Sequence, residues 1–305
     1  MSRIHEALKK AEQERAMSQP AQHVEATPAV LEPPLEPAGM ISTASSLHSA
    51  AAPVAILTLD SLLARTRQTN WSPDTKTMLF FNGDEYLSGM EEFRTLRSRL
   101  YQTREKQPLS KLLVTSPLPK EGKSFIAANL AQVIVRQHGK RALLIDADLR
   151  NPQLHNLLGT EPGPGISEYL RSENDEFSII QRGSMENLFL IPAGRNSGNP
   201  AELVANGRLK FLLNRVEPLF DWIIIDSPPA ALMSDAALLA NYCDGVLMVV
   251  RSNATPFDLA RKARQEFSDK HLVGVVLNGM QGSSPYAEYY YSAYGRPNGK
   301  GETSK

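Results

Sequence analysis

The sequence predicts an α/β fold with a doubly wound, mostly parallel sheet, and three observations carry that expectation. Short apolar runs rich in Val, Ile and Leu alternate with helix-patterned segments between about residues 76 and 282. These runs are apolar almost without a break, as strands covered on both faces of a parallel sheet must be. Two of them end in Asp, at the edge where open α/β sheets place their ligands.

The expected strands, in order, are Lys111–Ser116, Arg141–Asp146, Asn187–Pro192, Asp221–Asp226, Gly245–Arg251 and Leu272–Asn278. Helices are expected between them, at Ser124–His138, Ser234–Tyr242 and Pro256–Phe267 among others. Such alternation builds βαβ units, which wind right-handed into a parallel sheet.

Composition divides the rest of the chain. Over residues 1–17, Ile4, Ala7, Leu8 and Ala11 fall at helical spacing among charged neighbours, the pattern of a short amphipathic helix. Its apolar face is narrow, which suits docking to a protein better than insertion into a membrane. Residues 18–75 carry Pro20, Pro28, Pro33, Pro34, Pro37 and Pro53 among Ala, Ser, Thr and Glu. A stretch so composed buries too little apolar surface to offset its ordering entropy and is expected to be a linker, with Ala55–Arg65 as a short ordered piece. Residues 76–282 form the expected domain, and 283–305 a flexible polar tail.

Charge and cysteine content exclude several classes of function. Lys plus Arg and Asp plus Glu number 33 each, so no basic field argues for nucleic acid. A single cysteine, Cys243, excludes an intrachain disulfide and any cysteine-rich metal site, and suits a reducing compartment. The N-terminus has no central apolar block, so no secretory signal is expected. Apolar runs such as Val246–Val250 fall far short of the ~18 residues of a spanning helix. Work at a membrane would need a partner to hold the chain there.

Five clusters carry chemistry. Lys120-Glu121-Gly122-Lys123-Ser124-Phe125 follows one expected strand and opens a helix, the setting of a phosphate-binding loop. Backbone N–H groups at the helix start face phosphate oxygens, Lys123 reaches the β- and γ-phosphates, and the Ser124 hydroxyl ligates Mg²⁺. The full pattern has Gly five positions before Gly122, where this chain has Pro117. Next, Asp146 and Asp148 sit at the end of an apolar strand with Arg150 behind them, and alternation puts both acids on one side. Taken alone, either acid could equally be a helix cap. Third, the run Trp222–Ile225 ends in Asp226 before Ser-Pro-Pro, the way P-loop proteins hold Mg²⁺. Fourth, Glu91, Arg94 and Arg97 form a polar stripe beside a buried stripe of Phe93, Leu96 and Leu100; taken alone this is a solvated face. Last, Tyr286, Tyr289, Tyr290, Tyr291 and Tyr294 gather five of the nine tyrosines into nine residues without periodicity. No basic residue is interleaved, so stacking on nucleic acid is a poor fit, whereas phosphoacceptors or a binding surface fit.

In this order, the motifs resemble those of the bacterial P-loop tyrosine kinases of polysaccharide export, over roughly Glu91–Tyr294. The resemblance rests on Glu-x-x-Arg-x-x-Arg, the loop ending Glu-Gly-Lys-Ser, the strand with Asp-x-Asp-x-Arg, the strand with Asp-x-Pro-Pro, and the terminal tyrosines. The first twelve residues also look like those of stand-alone members of that family. It is similar too to the partitioning and septum-site ATPases, so the fold implied is theirs. Those enzymes carry a Lys four positions before the P-loop Gly, where this chain has Leu118, and Gly-Gly where it has Pro119 and Lys120. The kinases usually have Gly at the position of Lys120; if φ is positive there, Lys costs about 1 kcal/mol.

The resemblance implies an autokinase that moves phosphate from ATP to the tail tyrosines of a neighbouring subunit. Lys123 would act on the phosphates, Ser124, Asp226 and Asp146 would organise Mg²⁺, and Asp146 or Asp148 would orient or deprotonate the tyrosine. Arg150 would steady developing charge, and Asn278 would touch adenine. Glu91, Arg94 and Arg97 would join subunits in a ring, which tail phosphates would open by repulsion. Further implications are a membrane-embedded polysaccharide co-polymerase as activator, an opposing tyrosine phosphatase, and a cytoplasmic protein recruited to the inner face of the plasma membrane. Two rivals remain at this stage: a positioning ATPase that never phosphorylates protein, and a nucleotide-gated scaffold without turnover.

Overall fold

The computed structural model describes residues 57–81, 89–195 and 198–280. The amphipathic helix expected over residues 1–17, most of the expected linker and the tail tyrosines lie outside them.

The described residues form one eight-stranded sheet in the order β1-β4-β5-β3-β6-β2-β7-β8. Its main strands are β2 (Lys111–Thr115), β3 (Ala142–Asp146), β5 (Leu188–Ile191), β6 (Trp222–Asp226), β7 (Gly245–Arg251) and, at one edge, β8 (Leu272–Asn278). These six run parallel to one another. The doubly wound, mostly parallel α/β fold is therefore borne out. Each of these six strands lies within a residue of its expected ends. At the far edge, β4 (Gln181–Arg182) is antiparallel to β5 and parallel to β1 (Arg67–Gln68).

Strand alternation explains the near-continuous apolar runs. Ala142 and Leu144 of β3, with Trp222 and Ile224 of β6, feed one core. Leu143 and Ile145, with Ile223 and Ile225, feed the other. Every residue of both strands is buried, because helices cover both faces. Each such Leu or Ile contributes roughly 1.5–3 kcal/mol by leaving water.

Helix α3 (Lys123–Val135) lies under α2 (Met90–Lys106), so it has almost no solvent face. That explains the apolar sequence and the two polar residues inside it. Buried Asn129 accepts from the Leu79 amide and donates to the Thr77 carbonyl, both at 2.9 Å. A buried amide so satisfied costs little and pins a non-helical segment against α3.

The expected linker ends earlier than its composition suggests. Helix α1 (Leu59–Arg65) falls on the short ordered piece expected there. Thr58 and Ser61 close a reciprocal capping box at its start, at 3.0 and 3.2 Å. The chain then supplies β1 and buries Trp71 against Gly183, where any Cβ would stand 2.1 Å from the indole. The boundary expected at residue 76 is therefore corrected to about residue 57. Pro density stops at Pro53, and the apolar groups Leu57, Leu62 and Trp71 that follow are enough to dock the segment.

Smaller elements between the expected strands complete the layers: α4 (Leu154–Leu158), α5 (Ile166–Leu170), α6 (Glu176–Ile179), α7 (Pro200–Ala205), α8 (Arg208–Val216), α9 (Asp235–Ala240) and α10 (Phe257–Gln265). Among the described residues no helix is long and apolar enough to cross a membrane.

Candidate active site

The loop between β2 and α3 sits at the C-terminal edge of the sheet, between β6 and β7. Its path depends on two left-handed residues, Lys120 at φ 64° and Gly122 at φ 95°. Any other residue at Gly122 would be strained by the positive φ, and its Cβ would stand 2.2 Å from the Asn278 side-chain amide and force it to move. Lys120 does occupy the positive-φ region, so the strain expected from sequence is present. Lys120→Gly should therefore be more stable than Lys120→Ala by about 1 kcal/mol in urea denaturation, since Ala keeps the strain and Gly relieves it. Equal midpoints would mean that the loop relaxes around any side chain.

Three residues from the β7–β8 side strap this loop down. Glu121 is buried, accepts from the Leu118 amide at 2.7 Å, and accepts from the Thr255 hydroxyl. Arg251 donates to the Lys120 carbonyl at 3.1 Å, and the Asn278 amide donates to the Glu121 carbonyl at 2.9 Å. Asn278, an expected adenine contact, is thus a loop contact in this structure. Thr255 and Arg251 were not foreseen, because nothing local in sequence marks a residue 131 or 134 positions away as a loop partner.

Lys123 points into a nest of carboxylates. Its Nζ is 2.8 Å from Asp148 Oδ2, 3.9 Å from Asp226 Oδ1 and 3.4 Å from the Ser124 hydroxyl. Burial alone would lower its pKa; the charges of Asp226, Asp148 and Asp146 outweigh that and hold it above the ordinary value. Phe125 turns its ring away to pack edge-on against Phe93 at 5.8 Å, so its backbone alone can face a ligand.

The three aspartates are held differently. Asp146 Oδ2 accepts from the Gln153 and Leu154 amides at the start of α4, both at 3.0 Å. Its Oδ1, like both oxygens of Asp226, has no hydrogen bond of ordinary geometry. Burial first, and then the neighbouring Asp226 charge, pushes Asp146 up to about 8. Burial also raises Asp226, to about 6, with Lys123 and the Ser124 hydroxyl offsetting part of the rise. Asp148 accepts from the Asn151 amide at 3.0 Å and otherwise pairs with Lys123.

Unsatisfied buried oxygens facing a buried lysine make a donor set that a hard cation and phosphate would complete. Ser124, Asp226 and Asp146 fit Mg²⁺ on that ground. Among the described residues no three acidic, His or Cys side chains form a cage. Mg²⁺ needs only one or two carboxylates beside water and phosphate oxygens.

Arg150 lies at the rim and clasps the buried Asp235 through Nε at 2.5 Å and Nη2 at 3.3 Å. Asp235 was not foreseen, since an acid in the first turn of a helix reads as a favourable dipole contact. On α2, Glu91 and Arg94 form an exposed ion pair, while Arg97 reaches inward to the Val133 carbonyl at 2.7 Å. The acids at the sheet edge thus come together with the loop, and the α2 stripe does not join them.

A mostly parallel sheet whose strand β2 leads through a glycine-bearing loop into a helix, with lysine and aspartates converging there, defines a P-loop nucleotide-binding protein. Residues 121–258 match the family model described as "AAA domain". The chain is 34% identical over 203 residues to "Tyrosine-protein kinase YwqD" of Bacillus subtilis (strain 168), covering 66% of this chain and 85% of that protein. It is 32% identical over 208 residues to "Tyrosine-protein kinase wzc" of Salmonella typhimurium, covering 67% of this chain but 29% of that longer protein. The solved kinase domain of Escherichia coli tyrosine kinase ETK superposes with a TM-score of 0.64 at 28% identity, covering 73% of this chain and 87% of that one. The chain belongs to the bacterial tyrosine-protein kinases, and its activity is tyrosine phosphorylation with a nucleotide as donor.

Proposed function

We propose that this kinase phosphorylates tyrosines Tyr286, Tyr289, Tyr290, Tyr291 and Tyr294 of a neighbouring copy, and that this controls polysaccharide assembly and export. The observation that carries the site assignment is the buried Lys123 held between Asp148 and Asp226, beside carboxylate oxygens that lack a hydrogen bond of ordinary geometry. The tail assignment rests on tyrosine density in the sequence and on the family resemblance.

In the mechanism, the loop amides and Lys123 bind the phosphates of ATP. Lys123 then leaves Asp148 for the phosphate oxygens, which frees that carboxylate. Asp146 is pinned by two amides through one oxygen and has the other without a hydrogen bond, so it would hold Mg²⁺ together with Ser124 and Asp226. Bound there, Mg²⁺ would offset charge on the β- and γ-phosphate oxygens. Asp148, with fewer anchors, receives the phenolic proton. A phenol has a pKa near ~10, so a carboxylate at hydrogen-bond distance is needed at neutral pH. The bond from the γ-phosphorus to the ADP oxygen breaks, the bond from phosphorus to the phenolic oxygen forms, and the proton passes to Asp148.

The chain is organised as an N-terminal docking helix, a linker, the kinase domain and the substrate tail. Glu91 and Arg94, exposed on α2, are the ring contacts, and Arg97 braces α2 from inside. Phosphate on adjacent tyrosines adds about −1.5 to −2 charge each and drives the tail out. A membrane-embedded co-polymerase recruits and activates the kinase at the inner face of the plasma membrane, and a tyrosine phosphatase resets it.

Mass spectrometry of the full chain after incubation with Mg·ATP tests the tail assignment. Phosphate is expected within Tyr286–Tyr294, with none gained elsewhere when all five are changed to Phe. ATP turnover with an unmodified tail, in the presence of a membrane activator, would move the acceptor tyrosines from this tail to another protein.

A further inference from the structure

Two cations, Lys123 and Arg150, lie on the segments that follow β2 and β3, and they are held in place by different means. Lys123 is placed by the loop it belongs to. Arg150 follows β3 on an irregular segment, and a free arginine there would sample many rotamers and lose that freedom on being fixed. It is not free. Asp235 grips it through Nε and Nη2, and Asp235 is itself only 2% exposed.

The pair is lopsided in a way that a purely structural ion pair need not be. Its carboxylate is buried at the first turn of α9, yet the guanidinium side chain is 37% exposed. Both carboxylate oxygens of Asp235 go to the arginine. The cap residue Ser234 makes no side-chain bond to the helix start either, so the acid is not part of a capping arrangement. Arg150 also lies close enough to Asp148 for the two charges to interact. A buried acid thus holds a partly exposed cation within electrostatic reach of Asp148, the carboxylate proposed to receive the tyrosine proton.

We propose that Asp235 is a positioning residue for phosphoryl transfer: it fixes the Arg150 guanidinium beside Asp148 at the rim where the acceptor tyrosine enters. The inference rests on the site reading above and adds a residue to it. With the arginine already oriented, its ordering entropy is not lost again in the transition state. Asp235 touches neither nucleotide nor tyrosine and acts wholly through Arg150.

The test is a double-mutant cycle on the full-length protein, with Asp235→Asn, Arg150→Ala and the double variant. Two acceptors are used: a peptide of the tail sequence 283–295 and a Glu-Tyr polymer. Asp235→Asn should lower kcat about tenfold with the dissociation constant for ATP changed less than about twofold. In the Arg150→Ala background the same change should cost no more than about twofold. A full tenfold loss in that background, or unchanged kcat in the single variant, overturns the proposal. Asp235→Glu keeps the charge and should recover at least part of the loss, which a general folding defect would not. The Nε–H resonance of Arg150 should be protected from exchange in the wild type and lose that protection in Asp235→Asn; an unprotected wild-type signal also overturns it. If the polymer is phosphorylated and the tail peptide is not, the tail assignment falls, while the cycle run on the polymer still decides the role of Asp235.

Discussion

Lys123→Ala is expected to abolish detectable phosphoryl transfer and to destabilise the nucleotide-free protein at neutral pH. Loss of one preorganised stabilising group in a site of this kind costs about 10²–10³ in kcat. Lys123 also meets the phosphates in the ground state, so ATP affinity should fall as well. The stability effect has a separate cause. Removing the ammonium leaves Asp148 and Asp226 buried with no cation between them, and breaking a buried pair from one side typically costs about 3–5 kcal/mol. The carboxylates can escape part of that by taking up protons, so the deficit should narrow in mild acid. Parallel urea titrations of wild type and Lys123→Ala at about pH 5 and pH 8 check this. A deficit that is constant across that range would mean that the lysine contributes packing rather than charge balance.

Nucleotide-free protein in chelator should lose stability as pH rises from about 4 to about 8. The folded protein holds Asp146 at about 8 and Asp226 at about 6, against an ordinary value of 3.8 for each. A carboxyl raised by folding binds its proton more tightly in the folded state. Its contribution is therefore fully present below the unfolded value and is lost as pH climbs through the folded one. The loss is on the order of a few kcal/mol at most, since the two groups share one site and titrate together. His155 works the other way: burial lowers its pKa, so its neutral form favours folding as pH rises. Asp146→Asn separates the two contributions, because His155 is common to both proteins. The variant keeps a carbonyl oxygen for the Gln153 and Leu154 amides but has no proton to lose. Its stability should change less with pH than that of the wild type, and it should be the more stable of the two near pH 8. Identical slopes would show that Asp146 ionises normally in the folded protein.

How much of this was legible beforehand differs from residue to residue. The five inner strands β2, β3, β5, β6 and β7 were readable to within a residue because burial on both faces leaves little polar alternation to confuse the pattern, and the edge strand β8 was readable from its apolar run although Val275 and Leu277 are exposed. Helix α3 was readable from its position behind the loop, although its buried amide Asn129 was not. The short helices α4 to α6 were not legible, since four or five residues are too few to show a period. The folded stretch from Leu57 to Asp74 was hidden by the proline-rich composition before it. Gln68 and Trp71 acquire their meaning only from partners such as Arg182 and Gly183, more than a hundred positions away.

By itself the sequence determined the order of chemical parts: a phosphate loop, a pair of acids with Arg150, a third acid before Pro-Pro, and a tyrosine-rich tail. It could do so because each motif is local, and a strand end, a turn and a helix start are written in adjacent residues. The tertiary structure alone decided which charges face one another. It put Lys123 on Asp148 rather than squarely on Asp226, left Asp146 and Asp226 with bare oxygens, and joined Arg150 to Asp235 across 85 positions of chain. Burial then gave those pairings their force. An ion pair is weak in water, and a carboxylate shielded from water must find a cation, a proton or a metal, so the arrangement in space sets the chemistry.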